Sequence, residues 1–165
     1  MNIVRIIFIA LVVLLIQVTA IRHIGVAGCT PDLMVILLVS LVLERGPVLA
    51  VVIGFLLGFL QDLGNASLLG MNALAKSILA YGVSRVGGGL LPENVLYKGF
   101  IIFIACLVND IIVLPIATSF SFSDIFMSFF RYSLLSALYS ALLGVVIYAL
   151  LEPLTRKVVR PGGGY

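Results

Sequence analysis

Four ionisable residues interrupt long apolar segments of this chain: Asp62, Lys76, Asp110 and Arg131. Burying a charge in hydrocarbon costs several kcal/mol, so such a residue normally persists there only when it is paired or lies beside water. We predict that Asp62 pairs with Lys76, since the two flank one outer turn. Asp110 is predicted to pair with Arg131, because a short outer loop joins their helices. Two interpretations stay open: an ion-pair network that holds the helices in register, or a polar cavity, open to the outer side, that accepts a ligand or a partner segment.

Small residues recur every fourth position before the first of these acids, at Ala50, Gly54 and Gly58. This spacing places them on one helix face, where they allow the backbone of another helix to approach closely. The face could serve packing inside the bundle or an interface with another protein. A similar stripe on a later helix comprises Ser136, Ser140 and Gly144.

Residue types that would carry enzymatic chemistry are scarce. The single histidine, His23, excludes a site with two imidazole ligands, and it is predicted to be an interfacial residue. The chain has no glycine-rich phosphate loop ending in Lys-Ser or Lys-Thr. Cys106 lies in an apolar run and Cys29 at a loop, so the cysteines do not indicate a disulfide. We therefore expect no catalytic residue, no metal and no cofactor.

Composition assigns the chain to the membrane. Of its 165 residues 62% are apolar and 10% are charged, and the mean hydropathy is +1.29. A soluble domain carries about 25% charged residues, whereas this many apolar residues supply about five or six spans of about 20 residues each. The predicted fold is all-α, a polytopic integral membrane bundle of about six transmembrane helices. It forms one domain over residues 1–152, followed by a basic, flexible cytoplasmic tail over residues 153–165.

The apolar runs give the predicted helices as 6–21, 33–43, 48–60, 67–84, 98–120 and 125–151. The second and third are short and either cross the bilayer twice or dip in and return. Thr30 is predicted to cap the second helix, with Asp32 near its positive dipole end. Glu152 and Pro153 are predicted to end the last helix. Counted at about 1.5 Å per residue, the four ionisable residues lie in the outer half or at the centre of the bilayer.

Basic residues near the helix ends predict the orientation. With the N-terminus in the cytoplasm and six crossings, Arg22 alone is on the outer side. The inner side holds Arg5, Arg45, Arg85, Lys98, Arg156, Lys157 and Arg160. This bias predicts that both termini are cytoplasmic. The tail explains most of the net charge of +3 and is expected to touch anionic lipid rather than nucleic acid.

Several motifs together resemble the bacterial rod-shape-determining MreD family. They lie at residues 31–35 (PDLMV), 54–62 (GFLLGFLQD), 67–74 (SLLGMNAL) and 80–81 (AY). The family pattern has an Asp followed by Ser-Gly, Leu-Gly and Ala-Leu pairs. Asp62, Leu69-Gly70 and Ala73-Leu74 fit it, whereas residues 64–66 (GNA) depart from the Ser-Gly pair.

The resemblance implies a non-enzymatic scaffold of the elongasome, the machinery that inserts lateral peptidoglycan in rod-shaped bacteria. It implies MreC as the direct partner, and MreB, RodA and a class B penicillin-binding protein in the wider assembly. The family is also similar in architecture to the S components of energy-coupling-factor transporters. The alternative is therefore a small-molecule-binding subunit of a vitamin-type transporter, although Ala10 is followed by Leu14 where S components repeat alanine. A weaker alternative is lipid handling.

Overall fold

The computed structural model describes residues 3–19, 30–43, 45–64, 69–87, 95–118 and 121–159, and within these ranges the chain is helical with no strand. The all-α prediction is therefore confirmed. The helices are α1 (Ile3–Thr19), α2 (Leu33–Val42), α3 (Pro47–Asp62), α4 (Met71–Gly87), α5 (Val95–Ala117), α6 (Phe122–Ser128) and α7 (Leu134–Val159), with a π-helical segment (Phe129–Ser133) joining the last two. Arg22, His23, Cys29 and Asn65 lie outside the described residues.

Helix α2 begins at the predicted residue, but its N-cap is Asp32 and not Thr30. The Asp32 backbone is extended, and its side chain accepts hydrogen bonds from the amides of Met34 at 2.9 Å and Val35 at 3.1 Å. These amides belong to the first turn and have no partner within the helix. The role predicted for Thr30 is therefore wrong, and Asp32 contributes hydrogen bonds as well as a favourable charge.

The later helices also differ from their predicted limits. Helix α5 starts at Val95 and runs through Pro115, and α7 runs to Val159. The predicted helix end at Glu152 and Pro153 is wrong. A proline removes one backbone hydrogen bond but does not oblige an apolar helix to stop, because neighbouring helices and local adjustments satisfy the freed groups.

Among the described residues, two helices are long and apolar enough to cross a membrane: Val95–Ala117 and Ile125–Leu150. Three shorter apolar helices cover Ile6–Thr19, Leu33–Val42 and Pro47–Asp62. Large apolar side chains on the outer faces remain exposed, including Phe8, Val48 and Leu96. Lipid or a further helix is the environment that such faces suit.

The most extensive helix contact in the described chain is between α3 and α4. A Cβ atom built on Gly54 would collide with the carbonyl oxygen of Lys76, and one built on Gly58 with the carbonyl oxygen of Asn72. Ala50 is fully buried on the same face. The small stripe thus packs against α4 inside the chain, which is the internal alternative that the sequence left open.

We expect Gly54→Ala and Gly58→Ala each to lower the free energy of unfolding by about 1–3 kcal/mol, because the added methyl must push two backbones apart. The matched control is Gly82→Ala, at a mid-helix glycine of α4 with no atom within 4 Å of the new methyl. Alanine there should stabilise the helix by up to about 1 kcal/mol. Unfolding in detergent micelles measures all three, and equal stabilities would contradict the packing argument.

Candidate functional site

The carboxylate of Asp62 caps the N-terminus of α4. This side chain is 1% exposed. Oδ2 accepts hydrogen bonds from the amides of Gly70 and Ala73, both at 3.0 Å. Oδ1 accepts from the amide of Asn72 at 3.1 Å and from its side-chain Nδ2 at 2.9 Å. An anion at a helix N-terminus satisfies orphan donors and meets the positive end of the dipole, so Asp62 acts as a cap supplied by the preceding helix.

Lys76 lies one turn further along α4 and is completely buried. Its Nζ is 3.8 Å from Oδ2 of Asp32, whose side chain is 21% exposed. Nζ makes no hydrogen bond within the described chain. The predicted pairing of Asp62 with Lys76 is therefore wrong: Asp62 is committed to backbone amides, and Lys76 pairs with the N-cap of α2.

Helix α7 completes the surroundings of Asp32. The hydroxyl of Ser140 accepts a hydrogen bond from the Asp32 amide at 2.9 Å and donates to the carbonyl of Ser136 at 2.8 Å. Ser136 in turn donates to the carbonyl of Thr30 at 2.7 Å. The serine stripe of α7 thus binds the segment leading into α2, while Gly144 packs against Ile102 of α5.

A second carboxylate, Asp110 of α5, faces the same region and lies beside Ser133. The Nδ2 of Asn109 donates to Asp110 at 3.5 Å, whereas the Oδ1 of Asn109 is buried and makes no hydrogen bond within the described chain. Cys106, a free and buried thiol one turn away, lies next to Ser140. We call the whole group the polar cluster: Asp32, Lys76, Cys106, Asn109, Asp110, Ser133 and Ser140.

The π-helical segment explains how Ser133 reaches Asp110. The amide of Leu134 bonds to the carbonyl of Phe129, five residues back. This wider turn rotates the side chains within it to directions that they would not have in an α-helix. π turns are frequent at functional sites. Ser133 is buried as a result, whereas Arg131 is exposed, with its guanidinium 5.7 Å from the ring centre of Tyr132. The pairing of Asp110 with Arg131 stays a prediction.

The polar cluster pairs the Lys76 ammonium with the Asp32 carboxylate at the junction of α2, α4, α5 and α7. A buried charge without compensation would be costly, so the arrangement fixes these helices relative to one another. No group of three or more metal-ligating side chains occurs among the described residues. The cluster therefore combines charged groups with hydrogen bonds between the helices.

The sequence identifies Asp62, Lys76 and Asp110 as ionisable residues within apolar helices but does not reveal most of their partners. Ser140 stands out there only as a small residue in a stripe, and Asp32 only as a helix-dipole anion. Asn109 and Ser133 carry a usable signal, since polar side chains inside apolar helices seek partners. That signal does not identify which partner each finds.

The chain was compared with protein-family models, with curated proteins and with solved structures. The family model described as "rod shape-determining protein MreD" matches residues 1–158. No curated protein and no solved structure is similar enough to count as a match. The matched range includes the polar cluster, the Asp62 cap and the small stripe on α3.

Proposed function

This chain belongs to the MreD family of rod shape-determining proteins, and from that premise we propose that it is a non-enzymatic membrane scaffold of the elongasome that acts by binding MreC. The family is a membrane protein family with a role in cell shape and is not a known enzyme family. In this proposal MreB, RodA and a class B penicillin-binding protein belong to the wider assembly. The family match over residues 1–158 is the observation that carries the proposal.

The lengths of the connections support recruitment through the helices. The longest connection between consecutive described helices runs from residue 20 to residue 32, which is 13 residues. Below about 40 residues a segment rarely folds by itself, so a connection of this size supplies no separate binding domain. The outer faces of the helices are apolar, and the transmembrane helix of MreC is the natural contact for them.

We expect replacement of the MreC transmembrane helix by an unrelated apolar helix to abolish its co-purification with this protein. Deletion of the residues after Pro161 should leave co-purification intact, because these four residues (GGGY) have little apolar surface to bury. Both complexes would be extracted in the same mild detergent and compared for the recovery of MreC. Retention of the swapped MreC would contradict contact through the helices and indicate recognition by the outer loops.

The proposed topology is multi-pass in the inner membrane, with both termini cytoplasmic, and it follows from the bias of basic residues. In a background lacking Cys29 and Cys106, a cysteine at Gly46 or Gly88 should resist a membrane-impermeant thiol reagent in intact cells. A cysteine at Asn65 should react. Permeabilised cells provide the control, in which all three should react, and reaction at Gly88 in intact cells would contradict six crossings.

A second candidate function, the small-molecule-binding subunit, rests on one observation. The fully buried Lys76 ammonium makes no hydrogen bond within the described chain and so retains donors that a ligand could use. Against it, the Asp32 carboxylate already compensates the charge of Lys76. Mass spectrometry of the purified protein separates the two functions: a retained water-soluble ligand that is lost in Lys76→Met would favour the transporter subunit.

A further inference from the structure

A lateral groove runs between α4 and α5 on the exposed surface of these helices. Its volume is about 460 Å³, within the range of about 300–1,000 Å³ for ligand sites. Its walls are apolar except for two tyrosine rings and include Ile78, Gly82 and Val86 of α4 and Phe100, Ile104 and Val108 of α5. No atom lies within 4 Å of a Cβ built on Gly82, so the missing side chain deepens the groove.

The groove covers about half the thickness of a bilayer. Along α5 it extends from Tyr97 to Val108, which is about 16 Å at 1.5 Å per residue. The hydrocarbon core is about 30 Å thick, so this length matches one leaflet. One end of the groove lies at the same height along the helices as the polar cluster, since Lys76 precedes Ile78 by two residues and Asn109 directly follows Val108.

A basic side chain is held at the opposite end. Arg85 donates from Nε and Nη2 to the hydroxyl of Tyr81, at 3.3 and 3.1 Å, and its guanidinium is 5.3 Å from the centre of the same ring. Tyr81 itself lines the groove. Arg85 is exposed, and a guanidinium has five N–H donors. It therefore retains donors in the fork geometry that binds phosphate.

From these observations we infer that the groove binds an anionic phospholipid, with an acyl chain along α4 and α5 and the phosphate on Arg85. A partner's transmembrane helix would need a face along the whole bilayer, whereas this groove has the length of one acyl chain in one leaflet. Basic positions between transmembrane helices are known to bind anionic head groups. The site goes beyond the proposed scaffold function and does not depend on MreC.

Native mass spectrometry of the full chain, released from micelles with added phosphatidylglycerol or phosphatidylcholine, tests the site. The wild type should retain phosphatidylglycerol in preference to phosphatidylcholine. Arg85→Gln should weaken phosphatidylglycerol binding about fivefold, the factor for one basic contact of about 1 kcal/mol. The matched control is Lys98→Gln, a lysine that stacks over Tyr148 at 4.9 Å and should leave the preference unchanged. Gly82→Phe should fill the groove and reduce retention of both lipids.

Three results would overturn the inference: equal retention of the two lipids by the wild type, equal effects of the Arg85 and Lys98 variants, or unchanged lipid retention in a folded Gly82→Phe protein. If that last variant also loses MreC while keeping its lipid, the groove belongs to the partner's helix. Arg85 is on the surface, so its variant still tests the site if Gly82→Phe does not fold.

Discussion

Replacing Asp32 with asparagine should lower the free energy of unfolding by about 3–5 kcal/mol, the cost of leaving a buried charge without its partner. The stranded group is the Lys76 ammonium, which is 0% exposed and makes no hydrogen bond within the described chain. Asparagine keeps a side-chain oxygen that can still accept from the amides of Met34 and Val35. The loss therefore measures the ion pair far more than the helix cap.

Removing the other partner of the pair, with Lys76→Met, should lower the free energy of unfolding by less, about 1–3 kcal/mol. It leaves the Asp32 carboxylate with 21% of its side chain exposed and with two backbone amides to accept from, while methionine fills much of the space of the lysine stem. The double variant, Asp32→Asn with Lys76→Met, should be close in stability to Lys76→Met alone. It has no lysine left that could lose its partner when Asp32 is replaced. The two costs are therefore far from additive.

Unfolding of the four proteins of this cycle in one detergent gives the coupling free energy. Lys98→Met serves as the control for loss of a lysine, since Lys98 stacks on the Tyr148 ring at 4.9 Å and is only partly buried. Lys98→Met combined with Asp32→Asn should not restore the stability that Asp32→Asn removes. Plain additivity of the Asp32 and Lys76 changes would contradict an energetically coupled pair between α2 and α4.

The sequence predicts the helices well where local signals mark their ends. The predicted limits 33–43 and 48–60 lie within two residues of Leu33–Val42 and Pro47–Asp62, because Gly46 and Pro47 form a stop followed by a start. The fourth helix is predicted from residue 67 but begins at Met71. Its start depends on the carboxylate of Asp62, which belongs to another helix, and within the fourth segment only Gly70, whose φ is +93°, marks it.

For the candidate site, too, the sequence predicts individual residues but not the contacts between residues far apart in the chain. Ionisable residues are visible in an apolar sequence because a charge is costly to bury, and this identifies Asp62, Lys76 and Asp110. Their partners are not visible, since a pairing rule based on charge ignores backbone amides, which every residue except proline carries. The bond from Asp32 to Ser140 joins residues 108 positions apart, and only the packing of α7 against the segment before α2 creates it.

The Asp62 cap leads to the second large expected effect. Asp62→Ala should lower the free energy of unfolding by at least about 3 kcal/mol, because hydrogen bonds to a charged acceptor contribute about 1.5–3 kcal/mol each and this carboxylate accepts four. Asp62→Asn should cost nearly as much. In one orientation the asparagine NH₂ group would face the donating amides of Gly70 and Ala73. In the other it would face the amide and the Nδ2 of Asn72. Asn72→Ala, which removes one donor and leaves the carboxylate, should cost only about 1 kcal/mol.

A combination with Lys76→Met distinguishes a cap from an ion pair. If Asp62 acts through backbone amides, the lysine change should not rescue Asp62→Asn, and the two costs should add, because they break separate sets of contacts. The same lysine change should rescue Asp32→Asn. One substitution thus gives opposite results with the two aspartates. Rescue of Asp62→Asn by Lys76→Met would show that the charge of Asp62 serves the lysine, and the capping role assigned to it would be wrong.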